Sequence, residues 1–139
     1  MAISRSENMS RIRSADTNCE RLLRRELTSM GFKFKLNDKA VFGKPDIVFS
    51  KRKVAVFCDS EFWHGKKLRQ GEVPKTNRAF WIEKLSSNVK RDRLVTRTLR
   101  KDGWIVIRLW EADIKKNPAS CALKIVKHLR LNSEKNNLI

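Results

Sequence analysis

The sequence has no stretch close to the roughly 20 consecutive apolar residues of a membrane-spanning helix, so we expect no membrane partner. Its first residues, MAISRSENMSRIRS, lack the apolar segment of a secretory signal, which favours a cytoplasmic protein. Cysteines number only 3, lie far apart and form no CxxC motif, and no HxxxH spacing occurs. These absences argue against a disulfide framework and a zinc site of the usual spacing, and they favour reduced thiols.

Acidic residues are scarce beside basic ones. The chain has 15 Asp and Glu against 32 Lys and Arg, which gives a formal net charge of +17. Such a positive field attracts polyanions, and neutralisation of phosphates with release of counterions is the usual source of nucleic-acid affinity. A ribosomal-type or merely soluble basic surface is the alternative, and an anionic membrane is disfavoured because the basic segments form no single amphipathic helix. The charge therefore indicates a nucleic-acid partner.

The length of 139 residues and the hydrophobic fraction of 40% predict one domain with a hydrophobic core. We place this domain at residues 16–131, after a basic N-terminal arm at 1–15 and before a C-terminal tail at 132–139. No internal repeat or linker indicates a second domain.

The predicted order of elements is α-β-β-β-α-β-α. Thr17 and Glu20 form a capping-box pattern at the start of the first helix, and Gly31 stands where that helix would end. A central mixed sheet flanked by helices is the natural packing for this α/β order. The remaining predictions are strands at 32–36, 46–49, 54–58 and 104–110, a long loop at 60–76, a helix at 77–102, and a last helix beginning at residues 117–118.

Carboxylates stand at two neighbouring strand ends. Asp46 begins one predicted strand, Asp59 closes the next, and a hairpin connects the two strands. We expect this topology to bring Asp46, Asp59 and the main-chain carbonyl of Cys58 towards one point. Mg²⁺ favours carboxylate and carbonyl oxygens, and such a metal near the phosphate promotes phosphodiester cleavage. His64 is the histidine near these acids, and its unperturbed pKa of about 6.5 suits it to activate a water molecule.

Other candidate residues have structural alternatives. Glu20 has a structural role in the capping box, but it can also reach the metal site through water. Phe62, Trp63 and Trp81 can belong to the core, although the first two lie in a polar loop. Such rings can instead wedge between base steps of DNA, where stacking offsets the cost of unstacking the bases.

These residues belong to a longer pattern. The blocks NMSRIRSADT, GKPDIVF, VFCDSEFWHG, VPKTNRAFWIEKLSSNVKRDR and GWIVIRLWE occur in this order within residues 7–115. In these blocks the chain resembles the very short patch repair (Vsr) endonucleases. The resemblance implies a Vsr-like nuclease domain with a fold related to the PD-(D/E)XK restriction endonucleases. It also implies a Mg²⁺-dependent nick in one strand of double-stranded DNA beside a T:G mismatch.

The resemblance implies roles for individual residues as well. Asp46 matches the family's metal-binding aspartate, and the main-chain carbonyl of Cys58 matches a second metal ligand. Asp59 falls where the family has Asp or His near the leaving group or the metal, and His64 matches the general base. Glu20 matches a glutamate associated with the active site. The aromatic residues that intercalate beside the mismatch are matched by Phe62, Trp63 and Trp81.

The chain departs from the family pattern at the structural zinc. The family's Cys and His ligands are expected around the 60–76 loop and after the last strand, where this chain has Glu61 and Ala112. The following residues 65–68, GKKL, also lack the expected His and Cys. We therefore expect no structural zinc, and packing or bound DNA must hold this loop.

Glu61 also creates an acid-x-acid triplet with Asp59, and such a triplet can replace the acid-x-Lys of restriction-type nucleases. A restriction- or homing-type endonuclease or nicking subunit without mismatch specificity is therefore the alternative function. A non-catalytic DNA-binding module with the same basic surface is a further alternative. We expect a monomer, and the basic residues expected to contact DNA are Arg11, Arg13, Lys44, Lys66 and Lys67.

Overall fold

A computed structural model describes residues 17–137, with side chains described as far as residue 131. The expected DNA contacts of Arg11 and Arg13, like most of the arm at 1–15, therefore lie outside the described residues. The helices are α1 (Asn18–Ser29), α2 (Lys66–Arg69), α3 (Arg78–Lys101), α4 (Glu111–Lys116) and α5 (Pro118–Asn137). The strands are β1 (Lys35–Leu36), β2 (Ile47–Phe49), β3 (Val54–Asp59) and β4 (Ile105–Trp110).

The sheet is mixed and has the order β1-β2-β3-β4. Strand β3 pairs antiparallel with β2 and parallel with β4. Helices α1, α4 and α5 contribute to the core on one face, and α3 contributes to a second core on the other. The central mixed sheet flanked by helices that the sequence predicts is confirmed.

Strand β3 is central, and all six of its residues are buried. Successive side chains of a strand point to opposite faces of the sheet. Val56 and Cys58 accordingly join the core beside α1 and α5, whereas Phe57 joins the core beside α3. The same alternation directs Asp59, the last residue of β3, to the α3 side.

Helix α1 begins with the predicted capping box. The Oγ1 atom of Thr17 accepts a hydrogen bond from the Glu20 amide at 3.3 Å, and Oε2 of Glu20 accepts one from the Thr17 amide at 3.2 Å. After the helix, Gly31 has a φ of +86°, a left-handed conformation that glycine adopts without steric cost. The cap fixes where the Glu20 carboxyl lies relative to the sheet.

Several local predictions are wrong. The strand predicted at 32–36 is paired only at Lys35–Leu36, because Phe32 and Phe34 pack on the core from an unpaired segment. The loop predicted at 60–76 contains α2, and α4 was not predicted. Both helices are too short to show a helical period in the sequence. The long helix is confirmed to within one residue as α3, and α5 continues past residue 131 to Asn137.

Within the described part of the chain, no helix is both long and apolar enough to cross a membrane. All three cysteines are free thiols, as the sequence predicted, and all three are buried.

Candidate active site

A pair of carboxyl groups lies where β2 and β3 meet α1. Asp46, which directly precedes β2, accepts a hydrogen bond at Oδ2 from the main-chain amide of Cys58 at 2.7 Å. Its carboxyl is also hydrogen-bonded to that of Glu20, which is only 2% exposed. Glu20 therefore completes the capping box and also lies beside Asp46.

The acid pair has the electrostatics of a cation site. Burial raises the pKa of Asp46 to about 7; the Cys58 amide opposes this rise, and the charge of Glu20 and its hydrogen bond add to it. Burial and the neighbouring carboxylates also raise the pKa of the Cys58 thiol, so this residue offers a metal its main-chain oxygen rather than its sulfur. In an antiparallel pair, the N–H and C=O of one residue face the same neighbour, so the Cys58 carbonyl lies on the Asp46 side. These oxygens fit Mg²⁺.

Asp59 belongs to a different group of side chains. It is 6% exposed and forms an ion pair with Arg108, whose NH1 lies 2.9 Å from Oδ1 and 3.2 Å from Oδ2. Burial raises the pKa of Asp59, and the Arg108 charge opposes the rise. Asp46 faces α1 while Asp59 faces α3, and among the described residues no three His, Cys, Asp or Glu side chains group to hold a metal ion. The expected convergence of both aspartates on one cation is therefore not seen.

His64 is held by two carboxylates. Its Nδ1 atom lies 2.6 Å from Oδ2 of Asp92 and 3.6 Å from Oδ1 of Asp59. Burial disfavours the charged imidazole, but the hydrogen bond to Asp92 and the charges of both aspartates outweigh it and raise the pKa of His64. With Nδ1 committed to Asp92, the Nε2 atom is left for a substrate.

Three functional candidates were missed in the sequence. Asp92 is one of many charged residues of α3, and only the docking of the helix reveals that it faces the imidazole. Arg108 did carry a signal, because it is the single charged residue of the apolar strand β4, and buried charges are almost always paired. Glu111 also faces this space: burial and the charge of Glu61 raise the pKa of its carboxyl, and the charges of Asp46 and His64 act on it.

Hydrogen bonds hold the segment that carries His64. Oε1 of Glu61 accepts a hydrogen bond from the Ala112 amide, at the start of α4, at 2.7 Å. On the other side, Nδ2 of Asn88 donates to the carbonyl of Trp63 at 3.1 Å. The segment is thus tied to α4 at one position and to α3 at another. Glu61 and Ala112 bond directly at two of the positions where the sequence departs from the zinc pattern.

The same segment approaches α3 closely at Gly65. A Cβ atom built on this glycine would lie 2.2 Å from a methyl group of Val89, and the residue has a φ of +85°. Any larger residue would therefore push the segment away from α3. The close approach is what lets His64 reach Asp92.

Four aromatic rings form a cluster beside His64. The ring centroid of Phe62 lies 5.0 Å from that of Trp63 and 5.5 Å from that of Trp81, and the centroids of the two indole rings lie 6.0 Å apart. Phe80 adds a fourth ring, 5.2 Å from Trp81 and 57% exposed. The Nε1 atom of Trp63 is buried without a hydrogen-bond partner among the described residues. The three rings singled out in the sequence are therefore in mutual contact and only partly buried.

The basic residues expected to contact DNA differ in their surroundings. Lys44 is exposed, with a φ of 51°. The ammonium group of Lys66 lies over the ring of Trp110, 5.4 Å from its centroid. Lys67 lies 3.1 Å from a carboxylate oxygen of Glu72. Lys66 and Lys67 thus have partners within the chain.

Comparisons with known proteins find similar sequences. A family model described as DNA mismatch endonuclease Vsr matches residues 2–70. The type II nicking enzyme V.NmeDIP of Neisseria meningitidis serogroup C is 42% identical over 91% of this chain and 86% of its own length. The type II nicking enzyme V.HpaIIP of Haemophilus parainfluenzae is 41% identical over 80% of this chain and 79% of its own. The DNA mismatch endonuclease Vsr of Escherichia coli is 36% identical over 81% of this chain and 72% of its own.

Proposed function

We propose that this chain, which belongs to the Vsr family of DNA endonucleases, nicks one strand of double-stranded DNA beside a T:G mismatch in a Mg²⁺-dependent reaction. The chain is an endodeoxyribonuclease with a PD-(D/E)XK-like fold. Family membership in endonucleases sets aside the alternative of a non-catalytic DNA-binding module. The proposal has the enzyme act as a monomer in the cytoplasm, where its DNA substrate lies.

The observation that carries the proposal is the imidazole of His64, hydrogen-bonded to Asp92, together with the carboxyl pair of Asp46 and Glu20. We assign Asp46 and the Cys58 carbonyl as the groups that would hold Mg²⁺, with Glu20 in support. The chemistry that Mg²⁺ supplies when bound is stabilisation of the negative charge that develops on the phosphate.

The imidazole supplies the general base in this proposal. Nε2 of His64 accepts a proton from the attacking water, and Asp92 stabilises the imidazolium that forms, because its carboxylate already accepts the Nδ1 hydrogen bond at 2.6 Å. Asp59 adds a second carboxyl group near the ring, and its ion pair with Arg108 holds it in place. We therefore assign Asp59 a role beside the imidazole and the leaving group rather than as a metal ligand.

The aromatic cluster supports recognition of a mispaired site. Stacking of a base on an aromatic ring contributes roughly 1–3 kcal/mol, and a mismatched base pair costs less to open than a paired one. The unpaired indole N–H of Trp63 lowers the cost of moving this ring, because a buried donor without a partner is already unfavourable. We propose that Phe62, Trp63 and Trp81 insert between bases next to the mismatch.

A nicking enzyme without a mismatch requirement is the second candidate. Two of the relatives above are named type II nicking enzymes, and these names carry no mention of a mismatch. On this alternative the aromatic cluster opens a fully paired recognition site instead.

One experiment separates the two candidates. Duplexes with randomised flanks, with and without a central T:G pair, are incubated with the enzyme in Mg²⁺ or in EDTA, and nicks are mapped by sequencing. We expect nicks only in the samples with Mg²⁺, and only in the mismatched duplexes. Equal nicking of paired DNA at a fixed sequence supports the second candidate, and nicking in EDTA contradicts the metal assignment.

A variant tests the aromatic assignment. Trp63→Ala should reduce the preference for T:G over paired DNA by at least tenfold, because about 1.4 kcal/mol of stacking corresponds to that factor. Leu123→Ala, which truncates an exposed side chain on α5, is the control and should keep the preference. An unchanged preference in Trp63→Ala would remove the stacking role.

A further inference from the structure

A groove of about 830 Å³ opens beside the candidate general base. Its lining includes Asp59, His64 and Asp92, and it extends along α3 over residues 89–100. Six cationic side chains line it against two carboxylates, so its net charge is positive with a neutral imidazole. The cations are Arg69, Lys90, Arg93, Arg97, Arg100 and Arg108.

The cations of this groove are of two kinds, since Arg108 is partly buried and the other five are exposed. Arg108, near the imidazole, is committed: Nε donates to Thr96 at 2.8 Å, NH1 donates to Asp59, and the guanidinium lies 4.2 Å from the centroid of the Phe57 ring. Arg93, Arg97 and Arg100 are exposed, and they form no hydrogen bond or ion pair with other described residues. Only the second kind has its charge and its donors available to a ligand.

The three exposed arginines of α3 that line the groove form a row. At positions 93, 97 and 100 of one helix, spacings of four and three residues put them on the same face. With a rise of about 1.5 Å per residue, the row covers roughly 10 Å. One strand of DNA carries a phosphate about every 3.4 Å along the duplex axis, so a row of this length spans about three phosphates. Arginine also matches phosphate geometry with two parallel hydrogen bonds.

We propose that Arg93, Arg97 and Arg100 bind backbone phosphates of the DNA strand that is cut, on the His64 side of the scissile phosphate. The inference rests on the proposed function, and it names the part of the substrate that this groove takes. The strand is the cut one because the general base lies in the same groove. By binding these phosphates, the three arginines set the position of the scissile phosphate relative to the imidazole.

The test is the salt dependence of DNA binding. Dissociation constants for a T:G-mismatched duplex are measured in EDTA between 50 and 200 mM KCl, for the wild type, Arg97→Ala and Arg91→Ala. Arg91 is the matched control, since it is an exposed arginine of α3 outside the groove. Each lost phosphate contact should lower the slope of log K against log salt by about 0.9, which at 0.1 M salt weakens binding by about eightfold. We expect this loss in Arg97→Ala and no such loss in Arg91→Ala.

The outcomes separate the two proposals. If the wild type binds DNA but Arg97→Ala and Arg91→Ala have the same slope, the row does not bind phosphate, and the proposed function is untouched. If the wild type neither binds nor nicks DNA, the proposed function fails. Arg97→Lys should keep the slope because it keeps the charge, and a slope lost in this variant as well would contradict the electrostatic argument. Alanine is a good helix former, so these exposed substitutions should leave the urea midpoint unchanged.

Discussion

Asp46→Asn should make the protein more stable at neutral and alkaline pH while abolishing cleavage. Burial is the main reason that the pKa of Asp46 rises from 3.8 to about 7. Such a rise corresponds to at most about 4 kcal/mol, at about 1.36 kcal/mol per pKa unit. Asparagine has almost the same shape, carries no charge, and can still accept the Cys58 amide hydrogen bond. The variant therefore removes the cost of a buried charge without leaving a cavity.

The direction in which stability changes with pH follows from the pH range in which Asp46 loses its proton in the unfolded and in the folded state. Between pH 4 and pH 7 the unfolded chain releases the Asp46 proton while the folded protein retains it, so the folded state loses stability as the pH rises. Stability from this group is fully present below pH 4 and is lost by pH 7. From pH 5 to pH 8 the loss amounts to about 3 kcal/mol in the wild type, and Asp46→Asn should lack it.

Urea unfolding without divalent cations measures this effect. With a typical slope of about 2 kcal/mol per molar urea, the midpoint of Asp46→Asn should gain about 1.5 M on the wild type between pH 5 and pH 8. Asp113→Asn changes an exposed carboxylate and is the control. Mg²⁺ at 100 times its dissociation constant should add about 2.7 kcal/mol to the wild type at pH 8 and little to the variant. Parallel pH profiles for the wild type and Asp46→Asn would refute the reasoning.

Three other substitutions give separate checks. Asp92→Asn removes the charge that favours the imidazolium, so the midpoint of the rise in nicking rate with pH should move to lower pH. The kcat should also fall at least tenfold. A pH–rate profile that keeps its midpoint would argue against the pairing with His64. Glu61→Ala removes the acceptor of the Ala112 amide and should lower the free energy of unfolding by about 1–2 kcal/mol in urea, with Glu72→Ala as the control and an unaltered midpoint as the contrary result. Arg108→Ala leaves its buried carboxylate partner unpaired and should cost about 3 kcal/mol, and stability equal to wild type would show that this ion pair is dispensable.

Local signals sufficed for most of the fold. The capping box of Thr17 and Glu20, the left-handed Gly31 and the apolar run of β3 each act within a few residues, so the elements they define could be predicted from the sequence. Helix α4 could not be predicted, because six residues are held by packing of Ile114 in the core rather than by their own propensity.

The candidate site was predictable only in part, because its groups come from distant segments. The position of Asp46 next to β3 follows from the hairpin of β2 and β3, which the sequence predicts. The partner of Asp59 depends on the parallel register of β3 with β4, which sets Arg108 beside Phe57 and is not encoded near either residue. The alternation of side chains along β3 directs Asp59 to the α3 side of the sheet, whereas Asp46 contacts Glu20 of α1.

Glu20 belongs both to the first turn of α1 and to the carboxyl pair, so assembly of the candidate site depends on that helical turn. Because the same carboxyl closes the first turn of α1 and holds Asp46, fraying of that turn would withdraw one acid from the pair. Amide hydrogen exchange at the start of α1 should therefore slow when a divalent cation binds, even though the exchanging amides touch no metal. Amide exchange in the first turn of α1 therefore measures whether Glu20 and Asp46 are held together.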